Sequence, residues 1–147
     1  MEEKYINNAF LEAKKAYVKN EVPVGAIIVK EGKIISRAHN KKISTGCIFD
    51  HAEILAIKKA AKKLGDWRLN DCVMYVTLEP CPMCASAIQQ SRIKKIYIGT
   101  TSNIDENKKV IFSILNNPKF NHNVEISYLN DEKCSSILTN FFDAKRR

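Results

Sequence analysis

The spacing of apolar residues along the chain predicts an alternation of helices and strands. Over residues 3–19, apolar side chains such as Ile6 and Phe10 recur at helical intervals between lysines, which indicates an amphipathic helix. Runs of β-branched residues bounded by glycine, proline or polar clusters indicate strands. The predicted strands are residues 24–30, 33–38, 72–78, 93–99 and 124–129. The other predicted helices are 52–64, 81–91, 110–115 and one from 131 to the end, and residues 40–50 and 100–109 are predicted as loops.

The order of these elements predicts a three-layer α/β/α fold. An opening β-hairpin, with its turn at Glu31-Gly32, followed by strand–helix alternation implies one five-stranded mixed sheet with helices on both faces. We expect this sheet to be antiparallel at one edge and parallel elsewhere. The last strand should run parallel to its predecessor, because a helix connects the two. A length of 147 residues without linkers or repeats predicts a single domain over residues 1–147.

The net charge of +8 and the pI near 9.3 favour a polyanionic partner, above all a nucleic acid. A lysine-rich face that only contacts water would give the same charge, so charge alone leaves both interpretations open. No stretch of the sequence approaches the roughly 18 consecutive apolar residues of a membrane-spanning helix. The first residues also lack the basic start and apolar run of a signal peptide. These features predict a cytoplasmic protein.

Two of the five cysteines lie close together, in Cys81-Pro82-Met83-Cys84. In a reducing compartment, this C-x-x-C spacing favours metal binding or redox chemistry over a structural disulfide. The other three cysteines are scattered and are predicted to be small buried apolar residues without a chemical role. These three are Cys47, Cys72 and Cys134.

The C-x-x-C pair and His51 together form a candidate zinc site. Cys81 and Cys84 lie in the first turn of one predicted helix, and His51 lies at the start of another. Two thiolates and an imidazole suit Zn²⁺, and three protein ligands leave the fourth tetrahedral position open for water, as in a catalytic site. Glu53 follows His51 in the same helical turn and is not needed as a ligand. Its carboxylate is therefore predicted to take a proton from water beside the metal.

The sequence favours catalytic zinc over two other interpretations of these cysteines. A structural zinc site usually has four protein ligands, and a fourth ligand at suitable spacing is missing, since neither His39 nor His122 belongs to a ligand pair. A thioredoxin-like redox pair usually lacks an accompanying H-x-E segment. The combination of H-x-E with P-C-x-x-C is much more specific than either part and favours catalytic zinc.

An H-x-E segment followed by P-C-x-x-C is the signature of the zinc-dependent nucleobase deaminases of the cytidine-deaminase superfamily. Within that superfamily, the sequence resembles the bacterial tRNA-specific adenosine deaminases over nearly its whole length. The resemblance rests on residues 24–29, Asn40, His51-Ala52-Glu53-Ile54, residues 77–85, Ser91-Arg92-Ile93, Asn117-Pro118, Asn121-His122, Val124-Glu125, Phe141-Phe142 and Arg146.

The resemblance implies a cytidine-deaminase-like fold and a role for each matching residue. One zinc ion per subunit would be held by His51, Cys81 and Cys84, and Glu53 would shuttle protons. The implied reaction is the hydrolytic conversion of adenosine to inosine at the wobble position of a tRNA anticodon, catalysed by a homodimer.

The resemblance also implies a set of substrate contacts. Asn40 would hydrogen-bond the flipped nucleoside, the Ala52 amide would contact the base, and Val24 and Pro80 would line the pocket. On the last helix, Phe142 and Lys145 would contact the anticodon loop. Phe141 and Phe142 cannot both face inward on one narrow helical stripe, so one of the two rings is predicted to be exposed.

Two segments depart from the pattern of this family. Before His51 the family usually has Asp-Pro-Thr-Ala, whereas this chain has Cys47-Ile48-Phe49-Asp50. After Gly99 the family has a glycine-containing loop with an Asp, whereas residues 100–109 lack glycine and Ser102 occupies the position of that Asp. Both segments are expected to border the site, so they bear on the choice of substrate.

Two alternative functions follow from these observations. A deaminase of a free base or nucleoside (cytosine, cytidine or guanine) would share the zinc chemistry, but it would not need the aromatic pair and basic end of the last helix. A noncatalytic zinc module that binds RNA would have no need of Glu53. The sequence therefore favours a tRNA adenosine deaminase.

Overall fold

The computed structural model describes residues 2–102 and 105–146, and this part of the chain contains five strands and six helices. The strands are β1 (Gly25–Lys30), β2 (Lys33–His39), β3 (Cys72–Leu78), β4 (Lys95–Thr100) and β5 (Glu125–Tyr128). The helices are α1 (Glu2–Val18), α2 (Lys42–Thr45), α3 (Ala52–Leu64), α4 (Pro82–Gln90), α5 (Asp105–Leu115) and α6 (Glu132–Lys145).

The five strands form one mixed sheet in the order β2-β1-β3-β4-β5. The pairs β3–β4 and β4–β5 are parallel, which confirms both the mixed sheet and the direction predicted for the last strand. The prediction that only an edge of the sheet is antiparallel was wrong, because β1 pairs antiparallel with both β2 and β3. The reason is the connection through α3, which carries the chain from β2 across β1 and makes β2 and β3 parallel.

Helices cover both faces of the sheet, and alternate residues of β1 show how the core is divided. Ala26 and Ile28 belong to the core cluster that includes buried residues of α3, α4 and α5, whereas Ile27 and Val29 belong to the cluster that includes buried residues of α1 and Cys134 of α6. All four side chains are buried, as the alternation of a strand between two helical layers requires. The predicted three-layer arrangement is therefore confirmed.

Two predicted loops contain helices. Residues 42–45 form α2, although the whole of 40–50 was predicted as a loop. Helix α5 begins at Asp105, five residues before the predicted start at Val110. Two acidic residues, Asp105 and Glu106, occupy its first turn, where negative charge stabilises a helix. Residues 103 and 104 of the predicted loop and Arg147 of the last predicted helix lie outside the described residues.

The structure tests the predicted burial of the three scattered cysteines and of Phe141 and Phe142. Cys72 and Cys134 are fully buried, as predicted, but Cys47 is half-exposed, because its loop lies on the surface. Phe141 is buried and Phe142 is 43% exposed, so one ring of the pair is exposed as predicted. No helix in residues 2–102 or 105–146 is long and apolar enough to cross a membrane.

Helix α1 packs closely against β1 at Gly25. A Cβ atom at this position would lie 2.0 Å from the carbonyl oxygen of Ala9 and 2.5 Å from the amide nitrogen of Ala13, both in α1. The Gly25 amide also donates to Thr77 Oγ1 at 3.1 Å, which ties the start of β1 to β3. Only glycine fits between these groups, and it fixes the position of the adjoining residue Val24.

We expect Gly25→Ala to lower the free energy of unfolding by about 3 kcal/mol, because the added methyl group meets rigid backbone. Gly32→Ala is the matched control, since Gly32 has φ +76° but no atom within 4 Å of an added Cβ. Its cost should be about 1 kcal/mol, from the left-handed backbone alone. Urea denaturation of the two variants measures both values. Equal losses would contradict the close packing described at Gly25.

Candidate active site

The N-termini of two helices, α3 and α4, meet near the carboxyl end of the central strand β3. His51 is the N-cap residue of α3, and Cys81 is the N-cap residue of α4, with Pro82 at the first helical position. Both N-cap residues have extended backbone, and neither uses its side chain to cap its helix. Their side chains are therefore free to point away from the helix axes, toward each other.

Three potential metal ligands, His51, Cys81 and Cys84, converge where these N-termini meet. The Nδ1 atom of His51 lies 3.5 Å from Cys84 Sγ and 3.7 Å from Cys81 Sγ, and all three ligand atoms lie within 4.8 Å of one another. In a tetrahedral zinc site, bonds of about 2.3 Å to sulfur and about 2.0 Å to nitrogen place ligand atoms about 3.6 Å apart. The observed distances and the soft donor set therefore fit a zinc ion.

The other two histidines have partners elsewhere. His39 Nδ1 lies 3.2 Å from Glu12 Oε1, and His122 Nε2 lies 2.7 Å from the carbonyl oxygen of Ile93. Among the described residues, the ligand cluster at this site contains three side chains, which is the number typical of a catalytic rather than a structural zinc site.

The pKa values of the two thiols are shifted in opposite directions. The hydrogen bond from Cys84 lowers the pKa of the Cys81 thiol to about 5, and the amides of Cys84 and Met83 and the His51 ring contribute to this shift although burial opposes it. The pKa of Cys84 is raised, because its thiol donates to Cys81 and is itself buried near the Glu53 carboxyl. Cys81 is therefore a thiolate at neutral pH.

Glu53 places a carboxyl group beside the two sulfurs. The residue is only 4% exposed, and this burial raises the pKa of its carboxyl to about 7. The nearby negative charge of Cys81 acts in the same direction. A carboxyl group with a pKa near neutrality can both accept and donate a proton at physiological pH.

A cavity of about 240 Å³ opens onto these side chains. This volume lies just below the 300–1,000 Å³ typical of small-molecule sites, so the cavity suits a single base or nucleoside. Its lining consists of Glu21, Val22, Val24, Asn40, Lys42, Ile43, His51, Glu53, Leu78, Glu79 and Cys81.

Val24 and Asn40, both predicted substrate contacts, line this cavity. Asn40 Oδ1 accepts a hydrogen bond of 2.8 Å from the backbone amide of Ala52, so this amide holds the Asn40 side chain at the start of α3. A direct contact between the Ala52 amide and a substrate stays a prediction.

The remaining predicted contacts lie around the cavity. Pro80 lines an adjoining cavity of about 320 Å³, and Phe142 lines another of about 340 Å³. Leu78 lines all three cavities and connects them. Lys145 is exposed on α6, with its Nζ atom 5.5 Å from the ring centre of Phe141.

Six residues that line the cavity of about 240 Å³ were not predicted as site residues from the sequence: Glu21, Val22, Lys42, Ile43, Leu78 and Glu79. Lys42 and Ile43 belong to α2, which was predicted as loop. Ile43 was an available signal, because apolar residues are unusual in a polar loop and this loop leads directly to His51.

Comparison with known proteins identifies the family. The family model described as MafB19-like deaminase matches residues 1–146. The tRNA-specific adenosine deaminase of Bacillus subtilis is 42% identical over 147 residues, which cover 99% of this chain and 91% of that protein. The tRNA-specific adenosine deaminase of Aquifex aeolicus is 44% identical over 144 residues, which cover 98% and 95%.

A solved structure supports the same assignment. It comes from a study of A-to-I editing by tRNA:A34 deaminases at the wobble position of transfer RNA. The two chains superpose with a TM-score of 0.83 at 34% sequence identity, over 92% of this chain and 99% of the other. The chain therefore belongs to the MafB19-like deaminase family, in which it resembles the tRNA-specific adenosine deaminases.

Proposed function

We propose that this protein is a zinc-dependent hydrolase that converts adenosine to inosine at position 34, the wobble position, of a tRNA anticodon. The observation that carries the proposal is the convergence of His51, Cys81 and Cys84 beside the buried carboxyl of Glu53, in a cavity of nucleoside size. The similarity to tRNA-specific adenosine deaminases supports this choice of substrate.

His51, Cys81 and Cys84 would hold one zinc ion per subunit. When bound, the ion would supply Lewis-acid chemistry, which makes water acidic enough to lose a proton at neutral pH. The Cys81 thiolate is already present near neutral pH, since the pKa of this thiol is about 5. The N-termini of α3 and α4 add favourable electrostatics for negatively charged ligands.

Glu53 would transfer the protons of the reaction. Its carboxylate takes a proton from the attacking water and delivers it to the ring nitrogen next to C6. The water oxygen forms a bond to C6, and the bond from C6 to the exocyclic nitrogen breaks. A second proton, passed by Glu53, leaves with that nitrogen as ammonia, so that adenosine and water give inosine and ammonia. A pKa of about 7 suits a group that must both accept and release a proton.

Asn40 and Val24 would hold the nucleoside, since both line the cavity. The hydrogen bond from the Ala52 amide orients the Asn40 side chain for this role. The adjoining cavities that contain Pro80 and Phe142 provide space for the parts of the anticodon loop next to the edited base. Lys145 lies on α6 near Phe142 and would contact phosphate.

An RNA loop suits this site better than a duplex. A base in a hairpin loop is partly unstacked already, so turning it into a closed cavity costs less than extracting it from a helix. The net charge of +8 favours binding of a polyanion. The exposed ring of Phe142 offers a surface on which a base can stack.

We further propose that the protein acts as a homodimer in the cytoplasm, as the family resemblance implies. Ile43, Ile48 and Phe49 each expose 60% or more of their surface in the segment next to the cavity. Three exposed apolar side chains within one short segment favour a contact surface, and a second subunit would cover them.

A panel of substrates tests the proposed function directly. We expect zinc-loaded protein to convert an anticodon stem-loop with adenosine at the wobble position, and to leave a stem-loop with cytidine there unchanged. Free adenosine, cytidine, cytosine and guanine should also remain unchanged. Chromatography of the nucleoside products measures each conversion. Turnover of a free base or nucleoside, with the adenosine stem-loop untouched, would replace the tRNA assignment by the small-substrate alternative.

Substitution of Glu53 separates catalysis from metal binding. Glu53→Ala should reduce kcat at least about 100-fold, because it removes the proton-transfer group. Its zinc content should remain at one ion per chain, since Glu53 is not a ligand. Cys81→Ser is the contrasting variant and should lose both zinc and turnover. Zinc is measured by atomic absorption, and unchanged turnover by Glu53→Ala would rule out the mechanism.

Substitution of Phe142 tests the RNA contact. Phe142→Ala should raise KM for the stem-loop about tenfold, since loss of one base–aromatic stack costs roughly 1–3 kcal/mol. Phe120→Ala is the matched control, because Phe120 is 39% exposed, close to the 43% of Phe142, and lies outside the cavities described above. Steady-state kinetics of both variants give the comparison. Equal KM values for the two variants would exclude stacking on Phe142.

A further inference from the structure

Glu21 is a buried carboxylate that the proposed chemistry does not use. It follows α1 in the chain, is 1% exposed and lines the catalytic cavity. A buried charge is costly unless hydrogen bonds replace its lost hydration. The partners of Glu21 therefore indicate what the residue does.

All the side-chain hydrogen bonds described for Glu21 come from α2. The amide of Ile43 donates to Oε1 at 3.0 Å, and the amide and hydroxyl of Ser44 donate to Oε2 at 2.6 Å and 2.5 Å. Burial acts to raise the pKa of Glu21, but these hydrogen bonds outweigh it and lower the pKa. The carboxylate is consequently ionised, and its bonds to α2 are of the stronger, charge-assisted kind.

Glu21 supplies a cap that α2 lacks locally. Lys41 is the N-cap residue of α2, and its side chain makes no capping hydrogen bond. Ile43 and Ser44 are the second and third residues of this helix. Their amides are the ones that normally donate hydrogen bonds to the side chain of an N-cap residue. A four-residue helix is not stable alone, so its position depends on contacts from outside: the Glu21 carboxylate holds its first turn, and a hydrogen bond from the Thr45 hydroxyl to Asp50 holds its last residue.

The capped helix forms one wall of the catalytic cavity. Lys42 and Ile43 line the same cavity as His51, Glu53 and Cys81. The two ends of the segment are fixed separately, because the Lys41 amide donates to the Asp50 carbonyl oxygen at 2.9 Å. Loss of the Glu21 contact would therefore loosen α2 without moving Asn40 or His51, which flank the segment.

We propose that Glu21 is a positioning residue: by capping α2 it holds the wall formed by Lys42 and Ile43 in place and so controls how well substrate binds. This role rests on the proposed function for the identity of the substrate. It is separate from the proton transfer by Glu53 and from the metal ligands, which α3 and α4 hold.

Electrostatics and positioning predict opposite results when Glu21 is removed. Removing a negative charge from the cavity would, by charge alone, strengthen binding of anionic RNA and lower KM. Loosening the wall would weaken binding and raise KM while kcat changes little, which is the signature of a contact made equally in the ground and transition states. The sign of the change in KM therefore separates the two effects.

The experiment combines steady-state kinetics with amide hydrogen exchange. We expect Glu21→Ala to raise KM for the adenosine stem-loop about tenfold, with kcat within about threefold of the parent value. Exchange in residues 42–45 should accelerate at least about tenfold, while that in α3 and β3 stays unchanged. Glu21→Gln, which keeps one acceptor oxygen, should give an intermediate rise in KM.

Three variants complete the test. Ser44→Ala removes one of the three hydrogen bonds and should raise KM about twofold, and adding it to Glu21→Ala should have no further effect, since both residues act through the same contact. Glu31→Ala removes an exposed carboxylate from the β1–β2 turn and controls for the loss of one negative charge. If Glu21→Ala does not fold, Glu21→Gln and Ser44→Ala provide the same comparison.

The outcomes distinguish this proposal from the proposed function. An unchanged or lower KM for Glu21→Ala, or unchanged exchange in residues 42–45, would overturn the positioning role. Full additivity of Ser44→Ala with Glu21→Ala would also overturn it. If the parent protein does not convert the stem-loop, the proposed function fails, and the positioning role is decided by exchange and by KM for whichever panel substrate is converted.

Discussion

Small side chains between the catalytic helices and the sheet set the distances on which the site depends. Ala52, Ala56 and Ala60 lie one turn apart along α3, Ala85 lies in α4, and all four are fully buried in the core. The distance between packed elements is set by the side chains at their contact, so alanine allows close approach. Helix α3 lies close to β1 and β2 and also contacts α4, and the first residues of these two helices bring an imidazole and two thiols within 4.8 Å of one another. A larger residue at any of these alanines would move a helix and with it a ligand.

Two buried carboxyl groups face the same cavity, and their surroundings give them opposite roles. Glu21 receives three hydrogen bonds from α2, which lower its pKa and keep it charged despite burial. Glu53 lies next to the Cys81 thiolate, and burial brings its pKa to about 7. The first arrangement suits a permanent structural anchor and the second a group that exchanges protons. The difference arises from the number of donors each carboxyl faces, since both residues are almost fully buried.

The parts of the structure that sequence predicts well depend on residues close together in the chain. His51 and Glu53 lie at the start of one helix, and Cys81 and Cys84 lie at the start of another. Because the members of each pair are two or three residues apart, the sequence alone predicts that they lie close together. The parts that were missed depend on distant contacts. Helix α2 is capped by Glu21, which lies about twenty residues earlier in the chain, just after α1, and the residues of α2 carry no helix signal of their own. The place of β1 inside the sheet depends on the path of the chain through α3, which strand patterns do not encode.

The place of β1 between β2 and β3 also determines the order in which the site can be assembled during folding. The β1–β2 hairpin closes over the short Glu31-Gly32 turn, whereas β3 must approach β1 after a long intervening segment, so the first pairing has the smaller loop-closure entropy. His51 precedes β3 and Cys81 follows it, so the ligands meet only when β3 has docked on the preformed hairpin. The imidazole and the thiols therefore stay apart until β3 has joined β1, and metal capture marks that step and not the addition of β4 and β5.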